Sequence, residues 1–92
     1  MLLSSLGLAA CGATVPVQEM SDARQALEAA QSVNADERAK PSFDEAASLL
    51  DDAEKKLRAR QYEKARRQAI ASRTKALEAQ RLSDLDLDKS RY

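Results

Sequence analysis

An all-α fold is what this sequence predicts: a hairpin of two antiparallel helices with a packed N-terminal helix, about three helices in total. Three observations predict it. Apolar residues recur at three- and four-residue steps along most of the chain, the period of one helix face. Ser42-Phe43-Asp44-Glu45 has the form of a capping box, which marks a helix start. Asp51 with Lys55, Asp52 with Lys56 and Glu54 with Arg58 are acid-before-base pairs at i,i+4, which support a solvated helical face.

The first helix is expected over 17–33. Pro16 suits a first turn, and Met20, Ala23, Leu27 and Ala30 form one face with Ala26 and Val33 beside it. The polar stretch 34–41 breaks it, and Pro41 disfavours helical geometry at Lys40. The capping box then starts the second helix at Phe43, with Asp44 and Glu45 near the positive end of its dipole. Phe43, Ala46, Leu50, Ala53 and Leu57 form a heptad seam, widened by Ala47 and Leu49. Continuing that seam would bury Arg60, Lys64 and Arg67. The apolar residues resume out of phase at Tyr62, Ala65, Ala69, Ile70, Ala76 and Leu77. Two readings fit: a turn near 58–61, or one long helix that presents a new face. The turn is favoured, although no Gly or Pro marks it. A third helix then runs over 61–82, within a helical domain of 17–83. Asp84-Leu85-Asp86-Leu87-Asp88 alternates as a strand does, but without a partner strand the segment 84–92 is expected as a frayed or disordered tail.

With 92 residues the chain is one small domain whose apolar content is mostly alanine. Its aromatics are Phe43, Tyr62 and Tyr92. Such a core is thin, and a partner, self-association or a tether adds stability to it. Net charge is zero, which points away from nucleic acid, as does the lack of interleaved aromatics. There is no histidine, so neither His metal sites nor His-based nucleophilic triads are available. The neighbouring carboxylates of Asp51, Asp52 and Glu54 lie opposite the seam beside lysines, a solvated face rather than an acid–base pair. Asp84, Asp86 and Asp88 lack the Gly of a calcium loop. No enzyme, metal or diffusible cofactor is therefore expected.

Cys11 is the only cysteine, and the short apolar run Met1 to Ala10 leads into it. That run is too short to cross a bilayer and has the length of a signal-peptide core. Leu8-Ala9-Ala10-Cys11-Gly12 resembles the lipobox of bacterial lipoprotein signal peptides. The resemblance implies that Leu8, Ala9 and Ala10 are read by the signal peptidase, that 1–10 is removed, and that Cys11 carries palmitate-type acyl chains, with 11–16 as a tether. It also implies a membrane partner through the lipid. Gly12 is not the Asp that holds such lipoproteins at the inner membrane, so the expected address is the outer membrane, facing the periplasm. Neither Lys nor Arg occurs in Met1 to Ala10, a departure from the pattern that suggests a true start upstream of Met1.

Residues 43–82 resemble a single tetratricopeptide-type hairpin, on Tyr62-Glu63-Lys64-Ala65 and Ala69. Arg60 stands where that pattern has a small residue, and one copy makes no array. Nearly the whole chain after Cys11 resembles small lipoproteins of the domain of unknown function 4398 family. The likeness lies in the segments 16–26, 46–50 and 62–67, and it implies a helical envelope lipoprotein with no activity attached.

From Lys55 to Arg81 ten basic residues stand against two acidic ones. Arg58, Arg60, Lys64, Arg66 and Arg67 are the candidate contacts to an anionic surface or an acidic envelope protein, weighed against an ordinary solvated face. The function read from all this is a non-enzymatic scaffold or adaptor with an envelope protein partner. The alternative is a self-associating coiled-coil homo-oligomer analogous to the murein lipoprotein, although the terminal Lys of that protein is absent here.

Overall fold

The structure is a computed structural model that describes residues 14–91, with side chains through Leu87. Its elements are α1 (Val17–Ser32), α2 (Ala35–Arg38), α3 (Lys40–Arg58) and α4 (Tyr62–Arg91), with no strand among the described residues. The fold is all-α. Helices α3 and α4 form the expected hairpin, and α1 packs along α4. The fourth helix is the single turn α2.

Three small clusters fix the directions of the helices. Met20 and Ala23 meet Ala53 and Ala69, with Leu50 and Leu57 packed over them. Ala26 meets Ala46 and Ala76 beside Leu27. Ala30, Ala35, Ala39 and Ala79 close the far end under Val33, Phe43 and Leu82. Residue numbers rise together along α1 and α4 and fall along α3. So α1 and α4 are parallel and α3 is antiparallel to both. Because α1 and α3 touch each other far less than either touches α4, α4 is the central helix.

Size, more than hydrophobicity, selects what α4 buries. Its interior stripe is Ala65, Ala69, Ser72, Ala76, Ala79 and Ser83, a four-three repeat of small residues with no exposed surface. Such a face lets backbones approach to the close end of the usual 8–10 Å helix spacing. The approach is visible in hydrogen bonds: Ser72 Oγ donates to the Ala46 carbonyl at 2.7 Å, and Ser83 Oγ to the Val33 carbonyl at 2.7 Å. Gln80 Nε2 reaches the Ala26 carbonyl at 3.1 Å. Among the described residues, no buried side-chain nitrogen or oxygen lacks a partner. Ile70 and Leu77, placed on the apolar stripe by sequence, instead stand 50% and 43% exposed.

The boundaries differ from expectation in physically clear ways. Helix α3 begins at Lys40, not Phe43. Pro41 sits in its first turn, where a missing N–H costs nothing. The capping box does not form. Ala39 is the N-cap, without a side-chain cap bond, while Ser42 and Glu45 reach across to α4. Asn34 takes the left-handed conformation after α1, and Ala35–Arg38 makes one helical turn where only a break was expected. Helix α4 extends to Arg91, past the expected end at 82 and through the alternating Asp-Leu segment.

The turn at 59–61 separates α3 from α4, so the single long helix does not occur. Gln61 N–H donates to the Lys56 carbonyl and Arg60 N–H to the Leu57 carbonyl, both at 2.9 Å. This is a Schellman motif. Its left-handed position, usually Gly, is filled by Arg60 at φ 61°. A side chain there costs about 1 kcal/mol. Arg60→Gly is therefore expected to raise the unfolding free energy by about 0.5–1 kcal/mol, measured by urea denaturation.

Candidate functional site

The N-terminal segment is tied to the hairpin tip. Pro16 is fully buried at the start of α1. Arg66, one turn into α4, donates from Nη2 to the Thr14 carbonyl at 3.0 Å and from Nη1 to Glu19 at 2.9 Å. Glu63 lies 3.6 Å from the same guanidinium. Residues 14–16, the last part of the expected tether 11–16, are thus docked onto the bundle. Arg66 is committed to holding them there and does not belong with the free basic residues.

The other four candidates stay on the surface. Arg58, Arg60, Lys64 and Arg67 are exposed around the α3–α4 turn and make no ion pair among the described residues. Lys64 and Arg67 wall a shallow groove of about 200 Å³ with Asp52, Lys56 and Gln68. Asp52 accepts from Lys56 Nζ at 3.0 Å and from Gln68 Nε2. Lys55 pairs with Asp51 at 3.1 Å, as the sequence spacing implied. Glu54 pairs across helices with Arg24 at 3.5 Å rather than with Arg58.

Two titratable groups are shifted, each chiefly by one neighbour on its own helix and one across the α3–α4 pair. The Gln68 amide, followed by the Lys56 ammonium, holds the Asp52 carboxyl below its ordinary 3.8. Glu78, then Glu45, holds Lys75 above its ordinary 10.5. A lowered carboxylate pKa contributes stability that is complete above the unfolded value and lost as pH falls through the folded one. A raised lysine pKa contributes stability that is complete below the unfolded value and lost as pH rises through the folded one. Stability is therefore expected to decline below about pH 4. Asp52→Asn should flatten part of that acid limb, as read by thermal melts across pH.

A second groove, of about 280 Å³, runs between α1 and α4. Asp22, Gln25, Ala26, Ala29, Arg73, Leu77 and Gln80 line it. Two alanines form part of its floor among polar side chains, and the exposed Leu77 forms part of its wall. Among the described residues, no group of three or more His, Cys, Asp or Glu is placed to hold a metal ion. No helix among them is long and apolar enough to cross a membrane. The run Leu8, Ala9, Ala10 and Cys11 lies outside the described residues.

Sequence reasoning missed two features of this surface. One is the docking of Thr14 onto Arg66, across 52 positions of chain, for which the sequence carries no signal. The other is the exposure of Ile70 and Leu77, which the small-residue repeat of α4 does signal once serine is counted with alanine. No family model, curated protein or solved structure matches the chain.

Proposed function

We propose that this chain is a small, non-enzymatic cell-envelope lipoprotein. Acyl chains on Cys11 hold it in the outer membrane, and the helical body faces the periplasm as a scaffold or adaptor for an envelope protein. The observation that carries the reading is the run Leu8-Ala9-Ala10-Cys11-Gly12, whose cysteine stands three residues before the docked Thr14. The body offers a partner two surfaces of different chemistry: the exposed basic tip, and the groove between α1 and α4. The resemblance to the domain of unknown function 4398 lipoproteins agrees with this role.

Intact-mass spectrometry of the protein extracted from membranes tests it. The expected species begins at Cys11 and carries a diacylglycerol thioether with an acylated amine. An unmodified thiol behind an intact leader overturns the reading.

A self-associating structural lipoprotein is the second reading. Ile70 and Leu77 favour it, being exposed apolar residues seven apart on α4, the spacing of a coiled-coil seam. Cross-linking in intact cells separates the two. A mixed adduct with another envelope protein supports the adaptor, and a ladder of this chain alone supports self-association.

A further inference from the structure

Unpaired cations gather at one end of the bundle and unpaired acids at the other, with Asp22 and Arg73, also without an ion pair among the described residues, between them. At the α3–α4 turn the unpaired groups are the cations Arg58, Arg60, Lys64 and Arg67. Between Lys55 and Arg67 the sequence holds one carboxylate, Glu63, against seven cations. At the other end, around α2, the acids Glu28, Asp36, Glu37 and Asp84 make no ion pair among the described residues, and Arg81 is the unpaired cation among them. Helix α3, with 19 residues, sets these ends about 28 Å apart, several Debye lengths at physiological salt.

The N-terminal segment emerges at the basic end. Arg66 binds the Thr14 carbonyl within two turns of Arg60 along the chain. Cys11 precedes Thr14 by three residues, and three residues span at most about 11 Å.

We propose that Arg58, Arg60, Lys64 and Arg67 form a docking surface for anionic phospholipid headgroups. They seat the hairpin tip on the leaflet that holds the acyl chains and stand the bundle on end, with the acidic pole directed away from it and the α1–α4 groove facing sideways. The position of the anchor in this inference rests on acylation at Cys11; the headgroup affinity of the four cations does not. Exposed cations beside an anionic leaflet gain from its surface potential without a shaped pocket. The acidic pole is repelled by the same leaflet, so the two ends agree on orientation.

Co-sedimentation of the full chain carrying Cys11→Ser, which removes the acyl contribution, tests the tip by itself. The probes are vesicles of phosphatidylcholine alone, or of phosphatidylcholine and phosphatidylglycerol in equal parts. Preference for the anionic vesicles is expected, falling about fivefold for each tip cation removed. The variant Arg58→Gln/Arg60→Gln/Lys64→Gln/Arg67→Gln should lose the preference. Lys64→Gln/Arg67→Gln, a milder change on one exposed helix face, should lose about 25-fold. Arg73→Gln/Arg81→Gln, which removes unpaired cations away from the tip, should stay within about twofold of the parent. Equal binding to both vesicle types overturns the proposal, as does a preference that survives the tip variants. Displacement by inorganic phosphate at matched ionic strength also overturns it, in favour of a free-anion site. An unacylated Cys11 in the mass spectrum sinks the anchor and leaves the vesicle result to stand or fall separately.

Discussion

Ala76→Leu is expected to destabilise the bundle by about 3 kcal/mol, the largest effect of any single core substitution considered. Ala76 is fully buried where α1, α3 and α4 meet, facing Ala26 and Ala46. One turn away, the Ser72 hydroxyl touches the Ala46 carbonyl directly, which leaves little room for larger side chains between α3 and α4. Three added carbons must push α4 from one neighbour. That separation strains the Ser72 and Gln80 bonds to the facing main chains. A domain of this size has roughly 4–12 kcal/mol in total, so the loss is a large share of it. In a thermal melt the midpoint should fall by about 12–24 °C. Leu77→Ala, at the next position but half-exposed, should stay within about 0.5 kcal/mol of the parent. If the two variants melt alike, the small-residue seam does not hold the helices together.

That contrast also explains what the sequence revealed and what it hid. Ala46 and Ala53 on α3 are found by the heptad seam because their large neighbours Leu50 and Leu57 lie on the same face. On α4 the same method ranks Ile70 and Leu77 above Ser72 and Ser83, and the structure reverses that order. A serine loses little on burial when its hydroxyl has a main-chain acceptor, and a close helix pair supplies one. A leucine loses much when there is no volume for it. Hydropathy therefore misplaces part of the stripe, whereas a repeat read by side-chain size places all six residues. The turn at 59–61 was legible from the change of phase alone, because charged residues at three seam positions made one straight buried helix untenable.

The helix starts were less legible. Ser42 and Glu45 have the right spacing for a capping box, but a local pattern competes with tertiary partners, and Glu78 and Lys75 on α4 took them. The basic cluster could be read as a run of cations, yet its division into one structural and four exposed members could not. That division depends on Thr14 and Glu19, about fifty positions from Arg66 in the chain.

Cys11→Ser is the second large effect, and its readout is how the chain leaves the membrane. Under the proposed acylation, serine lacks the thiol on which the thioether to diacylglycerol would be built, so the acyl chains are not added. Each sixteen-carbon chain contributes roughly 11 kcal/mol of membrane affinity, at about 0.8 kcal/mol per methylene. A single chain binds marginally and two or more anchor stably. What remains for the variant is contact at the membrane surface, including electrostatic attraction at the hairpin tip, about 1 kcal/mol per cation and screened by salt. The parent should therefore resist both high salt and alkaline carbonate and leave membranes only in detergent. The Ser variant should move to the soluble fraction under either wash. Fractionation followed by immunoblotting reads this directly. A Cys11→Ser chain that still needs detergent for release would show that something other than acylation at Cys11 holds the protein in place.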